Sequence, residues 1–199
     1  MIDFAHFRFH PVILLPGGYE IYDFTKGYDP SRSLSSPYGI GRYDEDRRGM
    51  YEAALFQSEE GARTIHMGID IGAPVGTPVH AFYAGEIFLF GYNAAEGDYG
   101  NTLITKHILG SQQPLYALHG HLSSGSVQGK REGQRFTAGE IVAWVGDRHE
   151  NGGWNPHLHF QLSLQEPETC DMPGVVTAAQ REEAKRVYPD PRLVLGPLY

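Results

Sequence analysis

Short apolar segments separated by glycine-centred turns fill the middle of the chain, from residue 64 to residue 164. These segments are rich in β-branched and aromatic residues, and each is too short for a typical helix, so the pattern predicts a series of strands. We therefore expect a mainly β chain with an antiparallel sheet core, sandwich-like or barrel-like and built as a duplicated hybrid motif. The segments are 69–72, 76–81, 85–91, 101–107, 115–122, 139–146 and 157–164.

One helix is predicted near the C-terminus. Thr177 and Gln180 have the spacing of a capping box, and residues 178–187 are good helix formers that end before Pro189 and Pro191. Residues 26–48 are rich in Gly, Pro, Ser, Tyr and charge and predict loops. The pattern divides the chain into an N-terminal extension that packs on the core (1–61), a β domain (62–165) and a C-terminal extension with the helix (166–199).

Composition narrows the classes of partner and compartment. The formal net charge of −8 disfavours phosphate backbones, so no nucleic-acid partner is expected. A single cysteine, Cys170, excludes an intrachain disulfide. No segment approaches the roughly 20 apolar residues of a membrane span. The first 20 residues have no basic lead and only a short apolar run, so no secretory signal is predicted. We therefore expect a cytoplasmic location.

Three histidine-containing groups stand out in the β region. His66 and Asp70 lie four residues apart, about 13 Å along a straight strand at roughly 3.3 Å per residue, so they can share one ion only if the chain bends at Gly68. His157 and His159 share one strand face, as do His119 and His121. Taken alone, each group can also be explained without a functional site, as a solvated strand face or a glycine turn.

Taken together, the groups supply one carboxylate and five histidines, a ligand set that zinc favours. Three protein ligands leave a fourth position open, as in catalytic sites, and a further histidine can act as a general base or stabilise an oxyanion. This chemistry suits hydrolysis of an unreactive carbonyl such as an amide. In the pair His157 and His159, one histidine would bind the metal and its neighbour would act on the water.

The order of these motifs resembles the lysostaphin-type zinc metallopeptidases, also called LytM-type endopeptidases. The segments that carry the resemblance are "HMGIDIGAPVGTPVHAFYAGEI", "DYGNTLITKH", "GHLSS", "GQRFTAGEIVAWVG" and "PHLHFQL", which span about residues 62–165. The resemblance implies one Zn²⁺ per chain, bound by His66, Asp70 and His159. It also implies His121 and His157 as catalytic histidines. His119 stands where the family commonly has tyrosine and is left out of the catalytic set.

The resemblance implies a zinc-dependent endopeptidase acting on peptidoglycan stem or cross-bridge peptides, or on other Gly-rich peptides. The form "ENGGWNPHLHFQL" departs from the usual family segment, and Trp154 is expected to narrow the cleft, stack on substrate or pack its own loop. This form looks like a branch without signal peptides that can be fused to intracellular enzymes, which implies a possible intracellular enzyme partner.

Three alternatives stay open at this point. The chain could be a metal-binding regulatory domain without turnover. It could be a phosphocarrier-like domain of similar fold, although such a carrier has no need of Asp70. The N-terminal extension could also occlude the cleft, with Asp29, Asp44 or Asp46 as a blocking side chain, or it could form a wall of the cleft.

Overall fold

The computed structural model describes residues 2–27, 29, 36–110 and 113–199, so part of the predicted loop region 26–48 lies outside the described residues. The strands are β1 (Glu20–Ile21), β2 (Gly39–Gly41), β3 (Gln57–Ser58), β4 (Gly61–Ala62), β5 (Ile65–His66), β6 (Ile69–Gly72), β7 (Pro78–His80), β8 (Gly85–Asn93), β9 (Gly100–Ile108), β10 (Pro114–Leu122), β11 (Arg135–Phe136), β12 (Ile141–Trp144), β13 (His157–Ser163) and β14 (Val175–Val176). The α-helices are α1 (Arg181–Val187) and α2 (Arg192–Leu195), and short 3₁₀ turns cover Phe4–His6, Phe24–Lys26, Ala54–Phe56 and Ser124–Ser126.

One eight-stranded sheet forms the framework, in the order β1-β2-β6-β13-β10-β9-β8-β11. All neighbours in it are antiparallel except the parallel pair β1–β2. Three two-stranded pairings, β12–β7, β14–β5 and β3–β4, complete the described sheets. The prediction of a mainly β chain with an antiparallel core is confirmed.

Strand β13 shows how residue alternation separates the core from the site. Leu158, Phe160 and Leu162 are fully buried in the main hydrophobic cluster. The intervening residues, His157, His159 and Gln161, point to the opposite face because successive side chains of a strand alternate. One face of this central strand therefore anchors the sheet, and the other carries polar groups.

Both predicted extensions are hydrogen-bonded to the β domain. Strand β2 precedes residue 62, yet it pairs with β6, with Gly41 opposite Asp70. Strand β14 follows residue 165 and pairs with β5, with Val175 opposite His66. The domain division at residues 61/62 and 165/166 stays a prediction. The expectation of loops over residues 26–48 is wrong at β2, because a Gly-Ile-Gly segment is too short to show alternation.

The C-terminal region has two short helices where the sequence predicts one. The capping box forms, since the Thr177 amide donates to Gln180 Oε1 (3.2 Å) and the Gln180 amide donates to Thr177 Oγ1 (3.3 Å). The first helix begins three residues later than predicted, at Arg181, and the second follows Pro191 directly. Proline ends one helix but is tolerated at the start of the next, where its missing N–H costs no hydrogen bond.

Candidate metal centre and active site

A break between β5 and β6 brings the first two predicted ligands together. Residues 67 and 68 belong to neither strand, and the chain bends there. The bend places His66 Nε2 3.2 Å from Asp70 Oδ1, whereas a straight strand would separate the two residues by about 13 Å. The bend that the sequence requires at Gly68 is therefore present.

The sheet register supplies the third predicted ligand. His159 on β13 lies directly opposite Asp70 on β6. Its Nδ1 atom is 3.1 Å from both Asp70 Oδ1 and His66 Nε2. The three donors thus form a nearly equilateral triangle with sides of 3.1–3.2 Å.

This triangle fits a zinc ion. Donors at the usual 2.0–2.1 Å in tetrahedral geometry would be about 3.3–3.4 Å apart. The set of two imidazole nitrogens and one carboxylate oxygen also suits zinc. Among the described residues, His66, Asp70 and His159 are the one group of His, Cys, Asp and Glu side chains found close enough to share an ion.

The other polar atoms of the three ligands are fixed by hydrogen bonds. His66 Nδ1 donates to the Arg42 carbonyl oxygen (2.9 Å), and His159 Nε2 donates to Gln161 Oε1 (3.0 Å). Asp70 Oδ2 accepts from Arg47 Nη1 (2.6 Å). Such bonds fix the tautomer and orientation of a metal ligand. The ligating atoms are therefore already aimed at a common point.

The two predicted catalytic histidines lie beside this triangle. His121 Nδ1 donates to the Asn151 carbonyl and His157 Nδ1 donates to the Asn155 carbonyl, both at 2.7 Å. Their ring centroids are 4.2 Å apart, and His157 Nε2 is 3.8 Å from Asp70 Oδ1. In each ring the Nδ1 atom is occupied, so Nε2 is the atom that can exchange a proton with a substrate.

A β-bulge places His121 at the site. His119 pairs with Phe160 on the core face and Gly120 pairs with His159, so regular alternation would send residue 121 to the core. The register instead shifts between His119 and Leu122, and His121 adopts a φ of 62°, unusual for a residue with a side chain. The expectation that His119 and His121 share one strand face is therefore wrong.

The surroundings of His66, His121 and His157 keep these three side chains neutral at neutral pH. Burial, followed by the nearby Arg47 guanidinium, lowers the pKa of His66 to about 4. Burial, followed by neighbouring His157, holds the pKa of His121 well below its usual value, and burial also lowers the pKa of His157. Burial alone would raise the pKa of Asp70, but His66 and Arg47 outweigh it and hold that pKa well below its usual range. His66 and Asp70 are thus in the protonation states that bind a metal.

Residues 64–171 match the family model described as Peptidase family M23. The chain belongs to peptidase family M23. This confirms the predicted resemblance and assigns the matched domain to the metallopeptidases, which are hydrolases.

Curated relatives of this M23 chain share about a third of its residues over the matched segments. The DD-carboxypeptidase/endopeptidase Mpg of Neisseria meningitidis is 32% identical over 133 residues, which cover 60% of this chain and 28% of Mpg. The glycyl-glycine endopeptidase ALE-1 of Staphylococcus capitis is 35% identical over 96 residues, covering 48% of this chain and 24% of ALE-1. The matched region thus spans less than a third of either relative.

A solved structure supports the fold. The catalytic domain of lysostaphin from Staphylococcus simulans superposes with a TM-score of 0.50 at 23% identity, covering 80% of this chain and 93% of that domain. This likeness confirms the M23 fold for the chain.

Among the described residues, no helix has the length and apolar character needed to cross a bilayer.

Two cavities meet at the metal centre of the M23 domain. One, of about 280 Å³, contains His66, Asp70, His159 and both catalytic candidates. The other, of about 600 Å³, extends from Asp70 and His157 along Tyr22, Phe24, Asn155 and Pro156. Four residues line both cavities, namely Met50, Asp70, Trp154 and His157. The centre is therefore open on two sides.

An aromatic wall borders the smaller cavity. Trp154 donates from Nε1 to the Gly97 carbonyl (3.0 Å) and meets the Tyr51 ring edge-on at 6.0 Å. Tyr51 in turn packs on Phe56 at 4.8 Å. Asn151, which is fully buried, fixes the loop because its Oδ1 accepts from the Gly153 and Trp154 amides. Trp154 thus both packs its loop and lines the cleft.

His119, which was left out of the catalytic set, lies outside the site, and the candidate blocking side chains Asp29, Asp44 and Asp46 are not part of the ligand group. His119 packs on Phe160 in the core, and its Nε2 atom has no hydrogen-bond partner among the described residues. Asp44 pairs with Arg181 and Lys185, and Asp46 pairs with Arg48. Asp29 lines the larger cavity and is not part of the ligand group.

Sequence reasoning missed the residues that support the ligands. Gln161 lies two positions after His159, so alternation could have placed it on the same face. Tyr99 lies in the quoted segment "DYGNTLITKH" but was given no role there. Its hydroxyl donates to the Met172 carbonyl (3.0 Å) and lies 3.5 Å from His159 Nε2. Arg47 also stands in no motif, although its side chain contacts Asp70 directly.

Proposed function

We propose that the chain is a zinc-dependent endopeptidase that hydrolyses peptide bonds of peptidoglycan stem or cross-bridge peptides, or of other Gly-rich peptides. The proposal rests above all on one observation. Three donors 3.1–3.2 Å apart stand beside two neutral histidines, and in the part of the chain that the structure describes no hydrogen bond involves the Nε2 atom of either.

His66, Asp70 and His159 would hold the zinc ion. When bound there, zinc supplies Lewis-acid polarisation of a carbonyl and lowers the pKa of water. Three protein donors leave one tetrahedral position for substrate or water, which is typical of a catalytic rather than a structural site.

The chain's own histidines would then carry out the proton transfers. His157 is half-buried, and its Nε2 atom can accept a proton from the attacking water as a general base. His121, 4.2 Å away between ring centroids, has no proton on Nε2 in this tautomer, so it can accept a hydrogen bond from the attacking water. The proton that His157 takes from the water gives His157 an Nε2–H group, which can stabilise the developing oxyanion and then protonate the leaving amine. Their carbonyl partners hold both neutral rings in the tautomer whose Nε2 atom can accept a proton.

The two cavities support endopeptidase rather than exopeptidase action. A substrate cut within its chain needs room on both sides of the scissile bond, and cavities of about 280 and 600 Å³ meet at Asp70 and His157. Two relatives are a DD-carboxypeptidase/endopeptidase and a glycyl-glycine endopeptidase, which supports cell-wall peptides as the substrate class. A cytoplasmic location and an intracellular enzyme partner are further proposals, which rest on the sequence resemblance.

The test is direct cleavage. Zinc-loaded wild-type protein and its His157→Ala variant would be incubated with purified peptidoglycan and with oligoglycine peptides, and the products identified by mass spectrometry. New peptide ends from the wild type alone are expected, with zinc retained by His157→Ala and lost by Asp70→Ala and His159→Ala. His6→Ala, which removes an exposed histidine, is the matched control. Full zinc occupancy in Asp70→Ala would contradict the ligand assignment.

A further inference from the structure

Arg47 is a fully buried cation in direct contact with the metal centre. Its side chain is 1% exposed and donates to three side chains: from Nε to Glu45 Oε2 (2.9 Å), and from Nη1 to Asp70 Oδ2 (2.6 Å) and the Tyr51 hydroxyl (3.0 Å). Burying a charge is costly unless it is paired and hydrogen-bonded. This guanidinium meets both conditions, and Asp70 is one of its two carboxylate partners.

The surrounding chain fixes the guanidinium in place. Arg42 donates to Glu45 Oε1 from Nε (3.0 Å) and from Nη2 (2.6 Å), so Glu45 is held from two sides. The Arg42 carbonyl accepts from Arg47 Nη2 (3.3 Å), and the Phe24 ring lies 4.8 Å from the guanidinium carbon. Arg47 therefore has little freedom to leave Asp70.

The backbone of residues 42–47 is attached to the strand that carries His66. The His66 amide donates to the Glu45 carbonyl (3.0 Å), and the Asp44 amide donates to the His66 carbonyl (2.8 Å). The same segment accepts the His66 Nδ1–H bond through the Arg42 carbonyl (2.9 Å). Two of the three candidate ligands are thus oriented by one segment, which lies before the region that matches the family model.

We propose that Arg47 is a positioning residue of the metal centre, which holds Asp70 Oδ2 and so limits that carboxylate to a single donor oxygen, Oδ1. A carboxylate that bound through both oxygens would add a fourth protein donor and fill the position that a catalytic site keeps open. The 2.6 Å charge-assisted hydrogen bond prevents this, because it occupies the second oxygen and fixes the carboxylate plane. The proposal rests on the metal site of the proposed function.

The same contacts assign a structural role to the N-terminal extension at this point. A segment that only covered the cleft could be displaced without changing the ligands. Residues 42–47 instead supply hydrogen bonds to His66 and Asp70, so they are a part of the centre itself.

The test compares Arg47→Met with Arg48→Met in the full chain. Arg48 is the next residue, and its exposed side chain pairs with Asp46, so it controls for loss of an arginine in the same segment. Because Arg47→Met leaves Glu45 with one partner fewer in the interior, the double variant Glu45→Gln/Arg47→Met is made as well. Thermal unfolding of each metal-free protein first establishes that it is folded.

Two measurements then report on the centre independently of turnover. Zinc affinity is measured by competition with a chelator, and the visible spectrum of the Co²⁺-substituted protein reports coordination, since four-coordinate Co²⁺ absorbs more strongly than higher-coordinate Co²⁺. We expect a folded Arg47 variant to bind zinc about 10- to 100-fold more weakly and to give a weaker Co²⁺ spectrum. Arg48→Met should match the wild type in both measurements.

A folded Arg47 variant with wild-type zinc affinity and a wild-type Co²⁺ spectrum would overturn the positioning role and leave the zinc peptidase proposal intact. Failure of the wild type to bind Zn²⁺ or Co²⁺ would overturn both proposals at once. The His159→Ala variant separates these results, because it should lose metal whether or not Arg47 positions Asp70.

Discussion

Gly68 lies where the ring of a metal ligand needs space, so we predict that Gly68→Ala destroys the zinc site. A Cβ atom at residue 68 would lie 2.5 Å from both Cε1 and Nε2 of His159 and 3.0 Å from the Phe160 carbonyl oxygen. Ordinary contacts begin near 3.4 Å, so the imidazole would have to retreat by about 1 Å. Metal–ligand distances tolerate only about 0.2 Å. His159 Nδ1 would therefore leave the donor triangle.

The expected loss exceeds that of an outer hydrogen bond, which typically costs 10- to 100-fold in affinity, so zinc binding should weaken by about 100-fold or more. Chelator competition measures it, with metal content determined after gel filtration. Gly125→Ala is the matched control, because a Cβ atom there meets nothing within 4 Å. A Gly68→Ala protein that binds one zinc ion with wild-type affinity would refute the packing argument.

Three further predictions concern the core, the metal and the cleft. Burial lowers the pKa of His119 from 6.5 to about 4, so between these pH values the unfolded chain binds a proton that the folded state excludes. The neutral, buried His119 therefore contributes stability that is fully present above pH 6.5 and is lost as the pH falls towards 4. The free energy of unfolding should drop by roughly 3 kcal/mol over that interval from this group, and His119→Phe should remove that part of the slope in urea unfolding. Chelation should lower the melting temperature, and added zinc should restore it, because zinc at 100 times its Kd raises the free energy of unfolding by about 2.7 kcal/mol. An unchanged melting temperature would contradict a native zinc site. Trp154→Ala should raise KM several-fold with zinc content unchanged, because it removes a wall of both cavities; an unaltered KM in steady-state kinetics would exclude that role.

The strand pattern could be read from the sequence because the strands are bounded by glycine turns and carry apolar alternation. Strands β9, β10 and β13 fall within a residue or so of their predicted segments. The two-residue strands were not predictable in this way, since a strand such as β14 has no period to detect. The second helix was missed because the prolines before it were interpreted only as helix stops.

The ligands could be proposed from spacing and family resemblance, but their convergence depends on the register of non-adjacent strands. His159 and Asp70 are 89 residues apart in the chain and become neighbours only because β13 pairs with β6. No local pattern fixes that pairing. The bulge at His121 is equally invisible, since the sequence around it reads as an uninterrupted strand.

The role of Gly68 shows how a correct prediction can rest on an incomplete reason. The sequence argument asks for glycine because the chain must bend between His66 and Asp70, and the bend is present. Yet Gly68 is not among the glycines with positive φ, so its backbone angle alone would admit another residue. The close approach of the His159 ring, contributed by a distant strand, is what excludes a side chain there.

Arg47 extends this argument beyond the boundaries of the family match. The match begins at residue 64, whereas Asp70 Oδ2 and His66 Nδ1 are bonded to residues 47 and 42. These bonds form because β2 pairs with β6 inside the sheet and so brings the segment that follows β2 to the ligands. A fragment cut at the family boundary would keep all three ligands but lose the groups that orient two of them. Its metal affinity should therefore be lower than that of the full chain, even if the fragment folds.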